Sequence, residues 1–319
     1  MKRLRRVHIS HCDAVPDNKK SKLRKVAILF LTIDAPSNGD LWRDWAAADP
    51  SRCNFYVNAK TAFSEFAFIN RISDPVTDTE WGDHSLVWAH QALLRHALAH
   101  DAANSWFCLV SGDSIPIVSL DSLLHRFESL QSHDSLLGQF VDENMTVFVG
   151  SQVQAFYESG IDTKLENWWV SQFAAVAEDK YGVYCGFDVD SVRAHSQFIM
   201  LSRLHAHWLA QMPDRVSRDF DVLLKDVRQY KPLAADETVP FSYLNWQLSQ
   251  QEGAKGRLLD IDIMFAPVDR TGYHAKKHHV AISTKEVGHL TNRWFFARKF
   301  NKLGVDECNK VKDVWTKRI

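Results

Sequence analysis

No stretch of this sequence is apolar for long enough to cross a bilayer. The longest run, VAILFLTI at residues 26–33, falls well short of the roughly 20 residues that a helical span requires. Cysteine is scarce. The five present (Cys12, Cys53, Cys108, Cys185 and Cys308) are odd in number and form no CxxC pair, which argues against a disulfide framework and a structural zinc site. Cys53 and Cys108 fall in strand-like apolar runs, the usual setting of a reduced buried thiol. Net charge is nearly absent, at a formal −1, so no global field gathers nucleic acid or an anionic membrane. The P-loop, the GxGxxG fingerprint and the GxSxG nucleophile elbow are all missing, and with them the support for those nucleotide-binding and hydrolase architectures.

What is present is ordinary for a soluble folded chain. The 319 residues are 45% hydrophobic and 24% charged, enough for one large globular domain. Eleven tryptophans could fill a core or serve as platforms for sugar rings. Residues 1–24 are basic and lack the apolar segment of a signal peptide, so a flexible, solvated arm is expected there. A single domain is expected over 25–305 and a C-terminal tail over 306–319. With no signal or anchor in the sequence, the expected location is cytoplasmic. The one sequon, Asn144-Met145-Thr146, bears only on a secretory compartment.

The hydrophobic pattern alternates between strands and helices. KVAILFLTI (25–33) predicts a strand buried on both faces. Turn residues and a short helix follow in APSNGDLWRDWAAAD (35–49), then two short strands in CNFYVNAK (53–60) and FAFIN (66–70). Leu86, Ala89, Leu93, Leu94, Ala97 and Leu98 recur at helical spacing. SWFCLVS (105–111) is another buried strand, and Ser119 an N-cap for the amphipathic helix behind it. Later, SLLGQF (135–140) and TVFVG (146–150) read as strands, 164–178 as helix and SQFIML (196–201) as strand. Helical pattern returns from Ser202 to about Gln229 and again in TVPFSYLNWQLSQQ (238–251), where Pro240 suits a first turn; IDIMFAPV (261–268) is a late strand. Such alternation predicts an α/β sheet with helices on both faces, with ligands beyond the carboxyl ends of the strands. Those ends carry TIDAPSNGD, VNAK and SGDSIP.

Three clusters could carry chemistry. Asp236 and Glu237 stand at a loop-to-helix junction in KPLAADETVPFSYL (231–244). They are either favourable charge at a helix N-terminus, or a general base that such a terminus keeps ionised. NRWFFARKFNK (292–302) groups Arg293, Arg298, Lys299 and Lys302 around four aromatics. It is either an amphipathic helix with a solvated basic face or a clamp for a diphosphate. YHAKKHH (273–279) contains Lys276, Lys277 and three histidines, as an exposed basic loop or a second phosphate contact. The triplets Asp188-Val189-Asp190 and Asp260-Ile261-Asp262 are weak candidates for a divalent cation.

Taken in order, several stretches resemble the core-2/I-branching β-1,6-N-acetylglucosaminyltransferase family, which includes the peptide O-xylosyltransferases. They are KVAILFLTIDAP with NFYVNAK; EWGDHSLVWAHQALLRHAL; FCLVSGDSIPI; and the series HSQFIMLSRLHAHWL, ADETVPFSYL and WFFARKF. The resemblance covers about residues 26–305 and implies a GT-A type, Rossmann-like fold with a mixed sheet flanked by helices. It also implies an inverting transfer from a UDP-sugar, with UDP-GlcNAc the expected donor, to a glycan hydroxyl. Glu237 matches the family's general base, and Asp236 positions its loop. In place of a metal, basic side chains hold the diphosphate. Lys299 matches the lysine of the family's Phe-Ala-x-Lys-Phe stretch, Arg298 stands beside it, and either Lys276 or Lys277 supplies a second contact. Asn58 occupies the position where the family usually has Asp or His-Pro near the uridine. Asp113, Trp81, Asp236, Ser196 and Gln197 are the expected donor and acceptor contacts. No metal and no cofactor beyond the donor are expected, and no nucleic-acid partner or transmembrane segment. A bacterial or viral source fits the missing anchor and disulfides. A UDP-xylose donor on the same scaffold and a non-catalytic glycan-binding relative are the alternatives.

Overall fold

A computed structural model describes residues 23–139, 195–214, 216–218, 234–250, 256–265, 290–291 and 293–316. Its centre is strand β1 (Lys25–Thr32), followed by helix α1 (Gly39–Ala46), β2 (Cys53–Ala59), β3 (Ile69–Arg71), α2 (His84–His100) and β4 (Asn104–Ser111). Then come β5 (Ile115–Pro116), α3 (Leu120–Glu128), β6 (Ser135–Gln139), β7 (His195–Ser202), α4 (Arg203–Ala210) and α5 (Val239–Gln250). The remaining elements are β8 (Leu258–Leu259), β9 (Met264–Phe265), β10 (Phe296–Ala297) and α6 (Val305–Trp315).

Seven strands form one sheet in the order β3-β2-β1-β4-β7-β6-β8. The β1 strand runs parallel to β2 and β4, β2 to β3, and β6 to β8, whereas β7 is antiparallel to both of its neighbours. That single reversal matters for the site. It brings the amino end of β7, at His195, to the same edge as the carboxyl ends of the other strands.

Because successive strand residues point to opposite faces, β1 feeds two cores. Val26, Ile28 and Phe30 join side chains of α1 and α3 on one face, while Ala27 and Leu29 join those of α2, α4 and α5 on the other. Helices therefore cover both faces, as the alternation predicts. Asp83 caps α2 by accepting from Ser85 N at 2.8 Å, and Ser119 caps α3 by accepting from Ser122 N at 3.1 Å. Trp42 and Trp45 lie on α1 wholly inside the core shared with α3, packed edge-on against each other at 5.5 Å. Each also donates its indole N–H to a backbone carbonyl, Trp42 to Ser114 at 3.0 Å and Trp45 to Val118 at 2.7 Å. These tryptophans fill the core; Trp81, 71% exposed, does not.

A second sheet of three strands, β5-β10-β9, differs from the sequence reading. Phe296–Ala297 is extended and pairs with Ile115–Pro116 and Met264–Phe265, so the basic stretch 292–302 is not an amphipathic helix. Its aromatic residues Phe295 and Phe296 are buried in the core under α3, a placement that tertiary packing rather than local periodicity decides. Among the described residues, the late strand begins only at Met264, and the strand at 66–70 begins only at Ile69. The segment after 305, expected as a tail, contains α6, which buries Val311 and Val314 against Leu41, Ile115 and Phe300. Cys53 and Cys108 are free, buried thiols. The expected strand at 146–150, the helix at 164–178, the helical run towards 229, the triplet at 188–190, the loop at 273–279 and nearly all of the basic arm lie outside the described residues. Among the described residues, no helix is long and apolar enough to cross a membrane.

Trp42 joins the two sheets, touching Phe30, Phe55 and Phe296. Trp42→Ala is expected to cost about 3–5 kcal/mol of stability, read from the urea midpoint at unchanged slope. Trp42→Phe, which keeps a ring but strips the donor from Ser114 O, should cost less.

Candidate active site

The turn after β4 is held from within and from outside. Ser111 Oγ donates to Asp113 Oδ1 and lies 2.8 Å from Ser114 Oγ. From outside, Phe300 N donates to Asp113 O at 2.9 Å. Gly112 is required by close approach: a Cβ there would stand 2.2 Å from Thr32 Oγ1, at the end of β1. The small sheet thus delivers the residues after β10 to this turn. Arg298 Nε comes within 3.6 Å of Asp113 Oδ1, with each side chain 17% exposed. Its guanidinium rests over the Phe198 ring at 4.7 Å, a stacking that favours a partly desolvated cation.

Asp236 and Glu237 occupy a short 3-10 turn, Ala235–Glu237, directly before α5. Ala235 N donates to Gly82 O at 2.9 Å, which ties the turn to the loop that carries Trp81. Gly82 has a positive φ of 70°, the conformation that presents its carbonyl there and that glycine adopts without penalty. Asp236 is buried at 3% exposure. Burial pushes the Glu237 carboxyl up to about 7, the neighbouring Asp236 pushes the same way, and Arg298 opposes both. The expectation that a helix N-terminus keeps this carboxylate ionised is thereby reversed. Desolvation and a like charge outweigh the terminus, whose contribution is of order 0.3–1 kcal/mol. Burial also lowers the Arg298 pKa, while Asp113, Glu237 and Asp236 raise it. Three carboxyls and one guanidinium therefore form a single electrostatic cluster at the strand-end edge of the sheet.

Two histidines that the sequence reading did not single out lie beneath this cluster. His195, at the amino end of β7, and His90, on α2, are 0% and 2% exposed. Burial lowers the His195 pKa to about 4 and that of His90 to about 3, and charge on His195 would lower His90 further. Their sequence signal was histidine inside a run that must be apolar to pack.

The other expected contacts are scattered. Asn58 is 1% exposed, and both ends of its amide engage the Val76 backbone, at 2.9 and 2.8 Å. It closes the 58–76 loop from inside. Lys299 and Gln197 are partly exposed. Ser196 donates to Asp262. Asp262 also accepts from Met264 N at 3.1 Å and packs against Gly138, where a Cβ would lie 2.7 Å from it. Burial raises the Asp262 carboxyl to about 6. Among the described residues, no group of three or more His, Cys, Asp or Glu side chains is placed to hold a metal. Lys276 and Lys277 lie outside the described residues.

The cluster makes the Glu237 pKa separable into its causes. Asp236→Asn should lower it from about 7, and Arg298→Gln should raise it, both read by carboxyl carbon NMR titration. Because the folded value lies above the ordinary 4.5, the protonated form stabilises the fold, and this contribution is lost as pH rises through about 7. Glu237→Gln should therefore be more stable than the parent above that pH and show no such gain at pH 4, in paired thermal melts.

The family model for the Core-2/I-Branching enzyme matches residues 49–287. No curated protein matches. Among solved structures, the chain is similar to a glycosyltransferase involved in the glycosylation of the major capsid of PBCV-1. That alignment covers 90% of this chain and 98% of the other, at 8% identity and a TM-score of 0.32, too distant a likeness to bear on function by itself. With well over half of its length matched, this chain, a mixed α/β sheet flanked by helices, belongs to the Core-2/I-Branching enzyme family of glycosyltransferases.

Proposed function

We propose that this glycosyltransferase moves a sugar, GlcNAc in the first instance, from a UDP donor to a glycan hydroxyl with inversion, and that Glu237 is the general base. The observation that carries the reading is the placement of Glu237 in the turn before α5, at the strand-end edge and in the field of Arg298, where burial pushes its carboxyl up to about 7. A base of that strength is half ionised near neutrality and accepts a proton well once ionised. In the proposed step, the Glu237 carboxylate takes the proton of the acceptor hydroxyl. The acceptor oxygen forms the new bond to the anomeric carbon as the bond from that carbon to the diphosphate oxygen breaks, and UDP leaves with the electron pair. Arg298 is a positive charge held ready near the reacting groups. The partly exposed Lys299 beside it is suited to the charge that grows on the leaving diphosphate. Such side chains do the work that a divalent cation does elsewhere.

UDP release from a panel of UDP-sugars, with and without EDTA, tests the donor and the metal independence together. Release from UDP-GlcNAc that EDTA leaves unchanged is the expected result. Preference for UDP-xylose would move the donor assignment, and EDTA-sensitive release would overturn metal independence. Glu237→Gln should slow transfer by about 10²–10⁴-fold while UDP affinity stays close to that of the parent; normal turnover would remove Glu237 as the base. In the parent, kcat/KM should rise with pH through about 7, as the carboxyl ionises. Lys299→Ala should weaken UDP binding about tenfold, by calorimetric titration.

A further inference from the structure

The helix that follows Glu237 begins with a backbone problem that its own residues do not solve. The first amides of an α-helix have no intrahelical acceptor. In α5, Pro240 has no N–H to satisfy. Thr238 N returns to Ala235 O at 3.3 Å, and Ser242 N reaches Thr238 O at 3.2 Å. Between them stands Phe241 N, and its acceptor is a side chain from the sheet: His195 Nε2, at 3.4 Å. The other ring nitrogen, Nδ1, lies 2.6 Å from Ser196 O. A carbonyl only accepts, so Nδ1 carries the proton and Nε2 keeps a lone pair for the helix. His195 is wholly buried and its ring packs 6.1 Å from that of Phe241. His90 adds a second buried imidazole whose two nitrogens have no hydrogen-bond partner among the described residues. Neither ring is stabilised as a cation in these surroundings, and the lone pair stays available.

We propose that His195 is a positioning residue, which pins the first turn of α5 to β7 and thereby holds the Glu237 turn in its working geometry. The inference rests on the reading of Glu237 as the base. Gly82 O holds the turn on one side and the His195 imidazole holds the start of the helix on the other. Loss of the second frees the turn on the side of the helix. A base displaced by an ångström loses much of its effect on the proton it must take, whereas donor binding elsewhere in the cleft is untouched.

Paired substitutions test this. Asn at 195 can mimic Nδ1–H and leaves Phe241 N without its acceptor; Gln at 195 can mimic the Nε2 acceptor. His195→Asn should lower the kcat for UDP release from UDP-GlcNAc by about tenfold, with KM and UDP affinity nearly unchanged, and speed hydrogen exchange at the Phe241 amide by a similar factor. His195→Gln should recover most of both. Equal loss in the two variants would show a packing role only, and faster exchange with unchanged kcat would overturn the positioning role. The parent protein supplies a check that needs no variant: imidazole nitrogen NMR should find His195 protonated on Nδ1, and the opposite tautomer would overturn the proposal. Exchange and tautomer are read without turnover, so they stand even if no UDP-sugar proves to be a donor.

Discussion

One largely buried cation ties together the acidic groups at the strand-end edge of this protein. Arg298 faces Asp113 directly and acts at longer range on Glu237 and Asp236. Carboxylates held together in a low dielectric repel one another and resist ionisation; a guanidinium among them makes the arrangement tolerable. The dependence is mutual, since a desolvated guanidinium also needs its anions. Much of the nearby architecture keeps that charge in place. The β10 strand carries Arg298 out of the small sheet, Arg298 N donates to Phe265 O at 2.9 Å, Phe198 supplies the ring beneath it, and Phe300 N fastens the turn of Asp113.

The cluster is held short of full neutralisation. Arg298 lowers the Glu237 pKa, but burial and Asp236 raise it more, and the outcome is about 7. A carboxyl fully neutralised by its cation would be a weak base. One with no cation nearby would stay protonated at working pH. The intermediate value is set by opposed interactions of similar size, and it comes at some expense of stability at neutral and alkaline pH.

The scaffold under this edge is built from two apolar cores that share β1, β2 and β4. Trp42 and Trp45 show how tightly the cores and the site are linked, since their indoles donate to carbonyls at Ser114 and Val118, on either side of β5. On the opposite face, α2 and β7 pack against the turn of Glu237, with α4 against α2 and α5, and α2 and β7 carry His90 and His195 respectively. Packing and site geometry are thus not separable here: the groups that fill the cores also fix the loops.

The sequence by itself determined the elements whose pattern is local. The buried run of β1, the helical spacing of α2, the Ser119 cap and Pro240 in the first turn of α5 all follow from steric and hydrogen-bonding rules that span a few residues. The pairing of Asp236 with Glu237, and their place before a helix, were legible for the same reason. Tertiary structure decided the rest. Periodicity left 292–302 open to a helix, and burial of Phe295 and Phe296 under α3 made part of it a strand. The bonding of the Asn58 amide to the Val76 backbone, 18 residues on, is likewise a product of folding. The direction of the Glu237 pKa was reversed, because desolvation and the fields of Asp236 and Arg298 depend on distances that chain order does not encode. Local patterns survive folding, whereas electrostatic environment is created by it.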